Sequence, residues 1–558
     1  MSLFGEELKK AQPEAGPRRW LFVPYDQLSD DMGPLSRDKP AELGIILVES
    51  PWKAGRRPYH KQKLALVIAN LRHFALEQAR RGVAVRHMIS PGPYHQALEP
   101  IASELGILHT MVPAERELRL DLDKLVDRGR LAYLPHEGWL TQPGQFQRGC
   151  GHTPPWRMDA FYRQVRRETG ILMDHGKPIG GKYSMDSANR LAWRGKPEAP
   201  APPTFPLDPI KTEVGDLIHR EFARHPGRLD LKALPTTRAD ADTLWSWAKR
   251  ECLHSFGPYE DAMSLQSKGL FHTRISSLVN LHRLLPSRVL AEVMALDIPL
   301  SSKEGFIRQV MGWREFIRHV HLATNGFRHL PAGPCPIQSL TGDGGYRRWS
   351  GKSWNPTGES TDSDGGAAPS HLGGETPLPP AYWGENSGLT CLDHVVASVW
   401  EEGYSHHITR LMILSNIATL LDVRPRELTD WFWVAYTDAY DWVVEPNVLG
   451  MGTFALDDLM ITKPYVSGAA YISRMSDYCG ACSFNPKTNC PITALYWAFL
   501  ARHSDKIEDN PRLRMPMASL GRRDASQKRK DQQIFQTVKA LLIKGEVVTP
   551  DSLDPERK

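Results

Sequence analysis

Hydrophobic positions in the first 135 residues form short apolar runs separated by amphipathic stretches. The runs "WLFVPY", "LGIILVES", "VAVRHMI", "LGILHTMVP" and "LAYLP" have the length of strands, and "KLALVIANLRHFALEQARRG" has helical spacing. This alternation is typical of βαβ units and predicts a parallel sheet covered by helices. No G-x-G-x-x-G follows the first strand, so the Rossmann nucleotide fingerprint is absent. A binding site for another ligand, at the carboxyl ends of the strands, is the remaining alternative.

The pattern changes twice beyond this region. Residues 141–240 are rich in Pro, Gly and Arg and contain one predicted helix, "MDAFYRQVRRETGIL", so we interpret them as an interdomain connection. From residue 241 to residue 540 the apolar spacing is helical, as in "RISSLVNLHRLL" and "HHITRLMILSNIATLL". We therefore predict an α/β domain over residues 19–140 and a large all-α domain over residues 241–540.

One segment inside the helical part departs from this pattern. Between residues 341 and 380, Leu372 and Leu378 are the only aliphatic residues larger than alanine. Such a segment has too little apolar surface to order itself, so the sequence predicts a flexible surface insertion over 341–380. The basic stretch "GRRDASQKRKDQQ" nearer the end predicts a solvated helix end, with phosphate contact as the alternative.

Composition and charge narrow the class of protein. The 558 residues, 41% hydrophobic and 24% charged, indicate a globular protein of more than one domain. No apolar run is long enough to cross a bilayer and no signal peptide opens the sequence, so we expect a cytoplasmic protein without membrane contact. A net charge of +5 does not require a nucleic-acid partner, so a basic surface would need local clustering.

Three of the seven cysteines lie close together in "CGACSFNPKTNC", as Cys479, Cys482 and Cys490. A C-x-x-C pair lets two sulfurs face one metal ion, and a nearby third thiol can join them. Cys391, at the start of an apolar helical stretch, is the leading candidate for a fourth ligand, and Cys335 is the runner-up. The spacing fits structural zinc, which is the commoner site, a four-iron four-sulfur cluster, or an unligated redox pair.

A second group of polar residues lies in "YSHHITRLMILSN". His407 and Arg410 are three residues apart and share one face of the predicted helix, where a buried charge needs a partner. Asp438 and Asp441, again three apart, are candidates for that partner. The group fits acid–base residues around a ligand, and it fits ordinary hydrogen-bonded core residues equally well.

A third group lies at a predicted helix start in "FHTRISSLVN", where Thr273, Arg274 and Ser276 offer two hydroxyls and a guanidinium. Such a place suits an anion, although an N-cap is the default interpretation. Trp313 and Arg314 in "MGWREF" add an aromatic surface beside a cation, or else a core tryptophan beside a surface arginine.

Together these motifs resemble the photolyase and cryptochrome flavoproteins and, more narrowly, the bacterial iron-sulfur (6-4) photolyases. The resemblance rests on the order of "DQLS", "GGKYSMDSANR", "HTRIS", "GWREF", "HHITRL", "DAYDWVVEPNVLGM", "TKPY" and "CPITALYWAFLAR", over about residues 20–519. It implies a Rossmann-like antenna domain followed by a helical domain that binds FAD. It also implies a monomeric DNA photolyase, which repairs (6-4) photoproducts in UV-damaged DNA by electron transfer from excited reduced FAD. The alternatives are a blue-light photoreceptor of the same fold and an iron-sulfur DNA-binding protein without photochemistry.

The resemblance further implies roles for individual residues. It assigns cofactor binding to Thr273, Arg274, Ser276, Trp313, Arg314, Arg410, Asp441 and Asn447. Within that set, Arg410 and Asp441 match the ion pair beside the flavin ring. The implied catalytic residues are His406, His407 and Tyr465, since the double histidine favours the (6-4) lesion.

The remaining implied roles concern electron transfer, the cluster and the antenna. Trp383 and Trp431 match an electron-transfer chain, in which Phe432 stands where relatives have tyrosine. The implied ligands of a 4Fe-4S cluster are Cys391, Cys479, Cys482 and Cys490. Glu49 and Lys61 match the place of the antenna pigment, 6,7-dimethyl-8-ribityllumazine.

Overall fold

The structure, a computed structural model, describes residues 2–331, 333–338, 346, 354 and 365–553. Its N-terminal part is built on a five-stranded parallel sheet. The strands are β1 (Arg19–Phe22), β2 (Leu43–Glu49), β3 (Ala84–Ile89), β4 (Leu108–Met111) and β5 (Leu131–Leu134). The α-helices of this part with nine or more residues are α1 (Leu3–Ala11), α2 (Lys61–Arg80), α3 (Tyr94–Leu105) and α4 (Arg116–Val126).

The strand order is β3-β2-β1-β4-β5, so the sheet is built outward in both directions from β1. Every residue of β2 is buried, which is typical of a parallel sheet with both faces covered. The predicted α/β fold of this part is therefore confirmed. The strand order reverses between β1 and β4, and the carboxyl ends of strands at such a point are where open α/β sheets bind ligands.

The remainder of the chain is helical. Its helices of seven or more residues are α5 (Pro143–Cys150), α6 (Met158–Thr169), α7 (Pro209–Glu221), α8 (Arg238–Trp247), α9 (Pro286–Ala295), α10 (Leu300–Ile307), α11 (Glu315–Ala323), α12 (Thr390–Glu402), α13 (Pro425–Ala435), α14 (Ala469–Met475), α15 (Pro491–Arg502), α16 (Arg514–Arg522) and α17 (Ala525–Lys544). The predicted connection over 141–240 thus holds α5 and α7 besides the expected helix α6. Within the described part of the chain, none of these helices has both the length and the apolarity needed to span a bilayer.

The two parts of the chain are joined through buried hydrogen bonds. Lys63, in the first turn of α2, donates to the backbone carbonyls of Trp433 and Ala439 at 3.0 and 2.5 Å. The backbone N–H of His60 donates to the carbonyl of Val434. Because Lys63 is only 5% exposed, breaking these bonds would leave a buried amino group without a hydrogen-bond partner. The carboxyl edge of the sheet is therefore fixed against the helical part.

The predicted surface insertion differs in part from the structure. Residues 341–364 lie outside the described residues apart from Tyr346 and Trp354, so flexibility of these residues stays a prediction. Residues 365–380 are packed against the helical part. Thr376 forms a parallel β-bridge with Val423, and the backbone N–H of Leu378 donates to the buried carboxylate of Glu427. Arg426 also donates to a backbone carbonyl of this segment. Hydrogen bonds of its backbone hold residues 365–380 in place. The prediction considered only apolar side chains and therefore did not detect this packing.

Candidate active site

The centre of the candidate site is a buried ion pair between Arg410 and Asp438. The two guanidinium nitrogens each lie 3.0 Å from one carboxylate oxygen, and the Ser276 hydroxyl donates to the same carboxylate at 2.6 Å. Burial raises the pKa of Asp438, but the charge and hydrogen bonds of Arg410 outweigh it, so the pKa lies below its usual value. The structure thus brings Arg410 and Ser276 together around an anion.

The expectation that Asp441 is the partner of Arg410 is wrong. Its carboxylate accepts hydrogen bonds from the backbone N–H groups of Arg116 and Glu117, at 2.7 and 3.2 Å, at the start of α4. The backbone is not helical between residues 436 and 440, so the three-residue spacing from Asp438 does not put both carboxylates on one face. Asp441 caps a helix of the N-terminal part instead.

Arg314 extends the site toward a tryptophan that the sequence interpretation missed. Its guanidinium lies 4.2 Å from the ring centre of Trp139 and donates to the Asn280 side chain, which in turn donates to the backbone carbonyl of Asp438. Arg318, one helical turn further, lies 4.2 Å from the same ring. Burial lowers the pKa of both arginines to about 10.

These groups fit a large anionic ligand with aromatic rings. One carboxylate, Glu315, serves Arg314, and the Nε2 atoms of His136 and His282 beside Trp139 are buried without a hydrogen-bond partner. Buried cations and orphaned imidazole nitrogens are costly unless a ligand satisfies them. The i, i+4 spacing of two arginines in "GWREFIR" was the signal that could have found this surface.

In the turn predicted to bind phosphate, Thr273–Ser276, the polar side chains of Arg274 and Ser276 already have protein partners. Arg274 has φ +57° and forms an ion pair with Glu402 at 2.8 Å, with its guanidinium over the ring of Tyr404. Thr273 beside it is buried, and Ser276 begins a short helix, Ser276–Asn280. The hydroxyl of Ser276 is used by the Arg410–Asp438 pair, so this turn connects to the centre of the site.

Four predicted cofactor residues, Trp313, Arg314, Arg410 and Asn447, lie in π-helical segments, which often occur at functional sites because an extra residue re-aims side chains. Arg314 ends the segment Arg308–Arg314, and Arg410 begins Arg410–Ser415. Asn447 lies in a third such segment and donates to the backbone carbonyl four residues before it. The ring of Trp313 lies against Phe316 instead of entering the arginine–tryptophan surface.

A cluster of three histidines lies next to Arg410. The rings of His272 and His406 stack with centroids 4.3 Å apart, and His407 meets His272 edge-on at 5.3 Å. Burial lowers the pKa of both stacked histidines well below the usual value. The side chain of His407 is 39% exposed, and its Nε2 lies 3.8 Å from the Glu260 carboxylate. His407 is therefore the member of the cluster best placed to carry a proton.

Glu260 is held firmly where it faces His407. It accepts hydrogen bonds from Gln309 at 2.6 Å and Asn189 at 2.7 Å, and is only 3% exposed. Burial lowers the pKa of His407, and the Glu260 carboxylate opposes that shift. The sequence interpretation missed both Glu260 and His272, although His272 is the first residue of the quoted "HTRIS" motif.

Tyr465 and His407 are both influenced by the carboxylate of Asp186, and Tyr465 also by the cations of Arg512 and Arg190. Burial, and next the carboxylate of Asp186, raise the pKa of the tyrosine, and Asp186 also acts on His407. Burial, and next the charges of Arg512 and Arg190, lower the pKa of Lys463. Lys463 and Tyr465 therefore share the positive field of Arg190 and Arg512.

An aromatic path, in which Trp383 is buried and Trp400 is partly exposed, leads to the Arg410–Asp438 pair. Trp383 stacks on Trp400 at 5.4 Å, and Trp400 meets Trp431 edge-on at 5.9 Å. The N–H groups of Trp400 and Trp431 both donate to the backbone carbonyl of Tyr382, which fixes their angle. Tyr436 lies 6.0 Å from Trp431 and under the guanidinium of Arg410. Trp400, missed from the sequence, connects the two predicted tryptophans.

The four predicted ligand cysteines meet at one cavity. Cys391 comes from α12, Cys490 caps α15, and the loop between α14 and α15 adds Cys479 and Cys482. Burial raises the pKa of Cys391 well above its usual value, and that of Cys490 to about 12. Cys335 does not line this cavity. Among the described residues, no three or more Cys, His, Asp or Glu side chains stand at the spacing of a closed metal site.

The structure does not bring together the two residues assigned to the antenna, Glu49 and Lys61. Its carboxylate is bonded to Arg72 at 2.7 and 2.9 Å and to His87 at 2.9 Å. Burial raises the pKa of Glu49, yet these hydrogen bonds bring it down to about 2. Arg72 and Lys61 are eleven residues apart on α2, about 16 Å along its axis, so the two assigned residues do not share a site. The alternation of a strand turns Glu49 toward α2 instead.

A different group of polar atoms lies at the carboxyl ends of β1 and β4. Tyr25 and Asp26 follow β1, Glu115 follows β4, and Tyr440 stacks on Tyr25 from the helical part. Each of these four residues has a buried side-chain oxygen without a hydrogen-bond partner. Burial raises the pKa of Asp26 to about 7. Orphaned polar atoms at the point where the strand order reverses fit a polar ligand there.

The family model described as deoxyribodipyrimidine photo-lyase-related protein matches residues 21–233. A (6-4) photolyase of Agrobacterium fabrum is 31% identical over 529 residues, which cover 90% of this chain and 95% of that protein.

Two solved structures share the fold. A bacterial class III photolyase from Agrobacterium tumefaciens superposes with a TM-score of 0.50 and 13% identity, covering 95% of this chain and 99% of that one. A cryptochrome from Synechocystis sp. PCC6803 superposes with a TM-score of 0.50 and 14% identity, covering 93% and 95%. Because the similarity to the (6-4) photolyase extends over nearly the whole of both chains, this chain belongs to the deoxyribodipyrimidine photolyase-related family.

Proposed function

We propose that this protein is a DNA photolyase that repairs (6-4) photoproducts in light. The observation that carries the proposal is the histidine cluster, in which His407 alone is partly exposed and faces a fixed carboxylate. The similarity to a (6-4) photolyase over 95% of that protein supports it. The photoreceptor alternative has support from the fold alone, since the cryptochrome is 14% identical.

The cofactor of this proposal is FAD. Arg314 and Arg318 with Trp139 offer cations and an aromatic surface, and Arg410 with Asp438 offers a buried ion pair. When bound, FAD in its reduced, light-excited form supplies the electron that opens the lesion. The chain's own part is to hold a large anionic molecule and to keep water from it.

His407 supplies the proton in this proposal. Its Nε2 faces Glu260, which favours the protonated ring, and its partly exposed edge is open to a nucleotide turned out of the duplex. His406 and His272 stay neutral because they are buried, so they position His407 without competing for the proton. Tyr465 lines the lesion pocket in this proposal, and the charge of Asp186, which acts on both Tyr465 and His407, supports this role.

The aromatic path supplies electrons from the surface. Trp383, Trp400 and Trp431 lie in successive ring contact and end at Tyr436 beneath Arg410. Phe432 stacks on Tyr436 beside the path and is not needed to connect it. We therefore assign Trp400 as an additional relay between the two tryptophans that the sequence identified.

The four cysteines at one cavity hold a 4Fe-4S cluster in this proposal. Their sulfurs come from α12, a loop and the start of α15, with apolar neighbours such as Ile472 and Phe484. Four thiols in an apolar setting fit such a cluster, since thiolates are its ligands. The cluster would join segments far apart in the chain and so contribute to folding.

A ribityl lumazine antenna fits the orphaned polar atoms at the carboxyl ends of β1 and β4. The oxygens of Tyr25, Asp26, Glu115 and Tyr440 are suited to the hydroxyl groups of a ribityl chain. We also propose a cytoplasmic monomer, for which the seven free cysteines give support, since that compartment is reducing.

The decisive experiment uses purified protein with a measured flavin and iron content. It is incubated under reducing conditions with an oligonucleotide that contains one (6-4) lesion, in blue light and in the dark. Chromatography should show restored thymines only in the light, and the His407→Ala variant should keep FAD but lose repair. No restoration by flavin-loaded wild-type protein would contradict the proposal. A visible spectrum without flavin bands would instead favour an iron-sulfur DNA-binding protein.

A further inference from the structure

The excess positive charge of the chain is concentrated in one short segment. Residues 511–530 contain seven basic residues and one acidic residue, whereas the whole chain has a net charge of +5. The rest of the chain is therefore close to neutral. The exposed basic residues of the segment are Arg512, Arg514, Arg522, Lys528, Arg529 and Lys530.

These side chains lack carboxylate partners. Across the described residues, none of the six is in an ion pair, and Arg523, the seventh, pairs with Asp531. Elsewhere exposed arginines commonly have acidic partners, such as Arg37 with Glu137. Unpaired cations in a row leave a field that attracts an anionic polymer. We name the six residues the basic strip.

The basic strip begins beside the candidate lesion pocket. Asn510 donates to the backbone carbonyl of Thr462 at 2.8 Å, which ties the start of the strip to the loop of Lys463 and Tyr465. The charge of Arg512 acts on both of these residues. Leu513 is 4% exposed and anchors the segment to the core.

Helix α16 presents one face of the strip to solvent. Arg514, Ala518 and Arg522 are spaced four apart and are all exposed, so they lie on the same side of the helix. Met515, next to Arg514, is 82% exposed, so an apolar side chain is presented to solvent beside the cations of the strip.

We propose that the basic strip and Met515 form the surface that contacts duplex DNA beside the lesion pocket. Arg512 and Arg514 bind phosphates, and Met515 packs against the base pair left unstacked when the lesion is turned out. Phosphate contacts release counterions, and an exposed Met is a side chain that can enter a base step. The inference rests on the proposed repair of DNA, although binding can be measured without light or repair.

The test is the salt dependence of binding to a duplex, with the full chain and with an Arg512→Gln/Arg514→Gln variant. Each phosphate contact contributes about 0.9 to the slope of log affinity against log salt, so the double variant should lose about 1.8. A Lys9→Gln/Arg80→Gln variant, on α1 and α2, makes the same charge change and should keep the slope. An unchanged slope in the Arg512/Arg514 variant would overturn the inference.

Two further variants separate contact from folding and from repair. An Arg512→Lys/Arg514→Lys variant keeps the charge and should keep the slope. Met515→Ala should weaken binding to a lesion-containing duplex about tenfold, while binding to the same lesion in a single strand stays unchanged. Equal losses on duplex and single strand would remove Met515 from the proposal. A failure of repair with an intact slope would count against the proposed function alone.

Discussion

Asp438→Asn tests which carboxylate is the partner of Arg410. At the observed separation of 3.0 Å and an effective dielectric constant of about 20, the charge pair is worth about 5.5 kcal/mol before desolvation. Asparagine keeps the shape but removes the charge, and leaving a buried arginine alone costs about 3 to 5 kcal/mol. Because Arg410 is 22% exposed, water recovers part of that cost, so we expect about 3 kcal/mol.

Asp441→Asn is the matched control, three residues away. Its carboxylate caps α4 through two backbone N–H groups, and asparagine keeps an acceptor oxygen for them. A cap of this kind is worth about 1 kcal/mol. Urea unfolding at pH 7, followed by far-UV circular dichroism, should therefore separate the two variants by about 2 kcal/mol. Flavin content per chain should fall in Asp438→Asn and hold in Asp441→Asn.

The pH dependence of stability gives a second test of the pairing between Arg410 and Asp438. The folded pKa of Asp438 lies below its usual value of 3.8, so the carboxylate contributes stability above that value and loses it as the pH falls through the folded pKa. The difference between wild type and Asp438→Asn should therefore shrink below about pH 4. A larger loss of stability or of flavin in Asp441→Asn would refute the assignment of Asp438.

Four further substitutions test the rest of the site. Cys479→Ser should lose iron and soluble yield, whereas Cys335→Ser, outside the cavity, should keep both; equal iron content in the two variants would contradict the cluster. Glu260→Gln should move the alkaline limb of the pH profile of repair to lower pH, because the carboxylate raises the pKa of the neighbouring histidine; an unmoved limb would show that Glu260 does not control the proton. Trp400→Phe should slow light-driven reduction of the bound flavin in transient absorption without changing flavin content, and an unaltered rate would remove Trp400 from the path. Glu49→Gln should lower the free energy of unfolding by about 2 kcal/mol and leave the antenna spectrum unchanged, since its carboxylate holds the buried Arg72, which keeps Glu213 as a second partner; pigment loss at unchanged stability would support the antenna role.

Hydrophobic periodicity predicted most of the architecture, because burial imposes it locally on the sequence. The five strands and α2 follow directly from apolar runs of strand length and from helical spacing. The meeting of four cysteines was also within reach, since C-x-x-C spacing and a helix start limit where thiols can lie. The packing of residues 365–380 was not, because backbone hydrogen bonds and not apolar side chains hold that segment.

The sequence by itself determined the fold class, the family and the short motifs that hold Arg410 and His407. Only the tertiary structure decided which carboxylate pairs with Arg410, because a non-helical stretch separates Asp438 from Asp441 and turns them apart. It also decided that Trp400 connects two tryptophans distant in sequence. Periodicity constrains which face of an element is buried, whereas pairing across elements depends on directions that only the packed backbone sets.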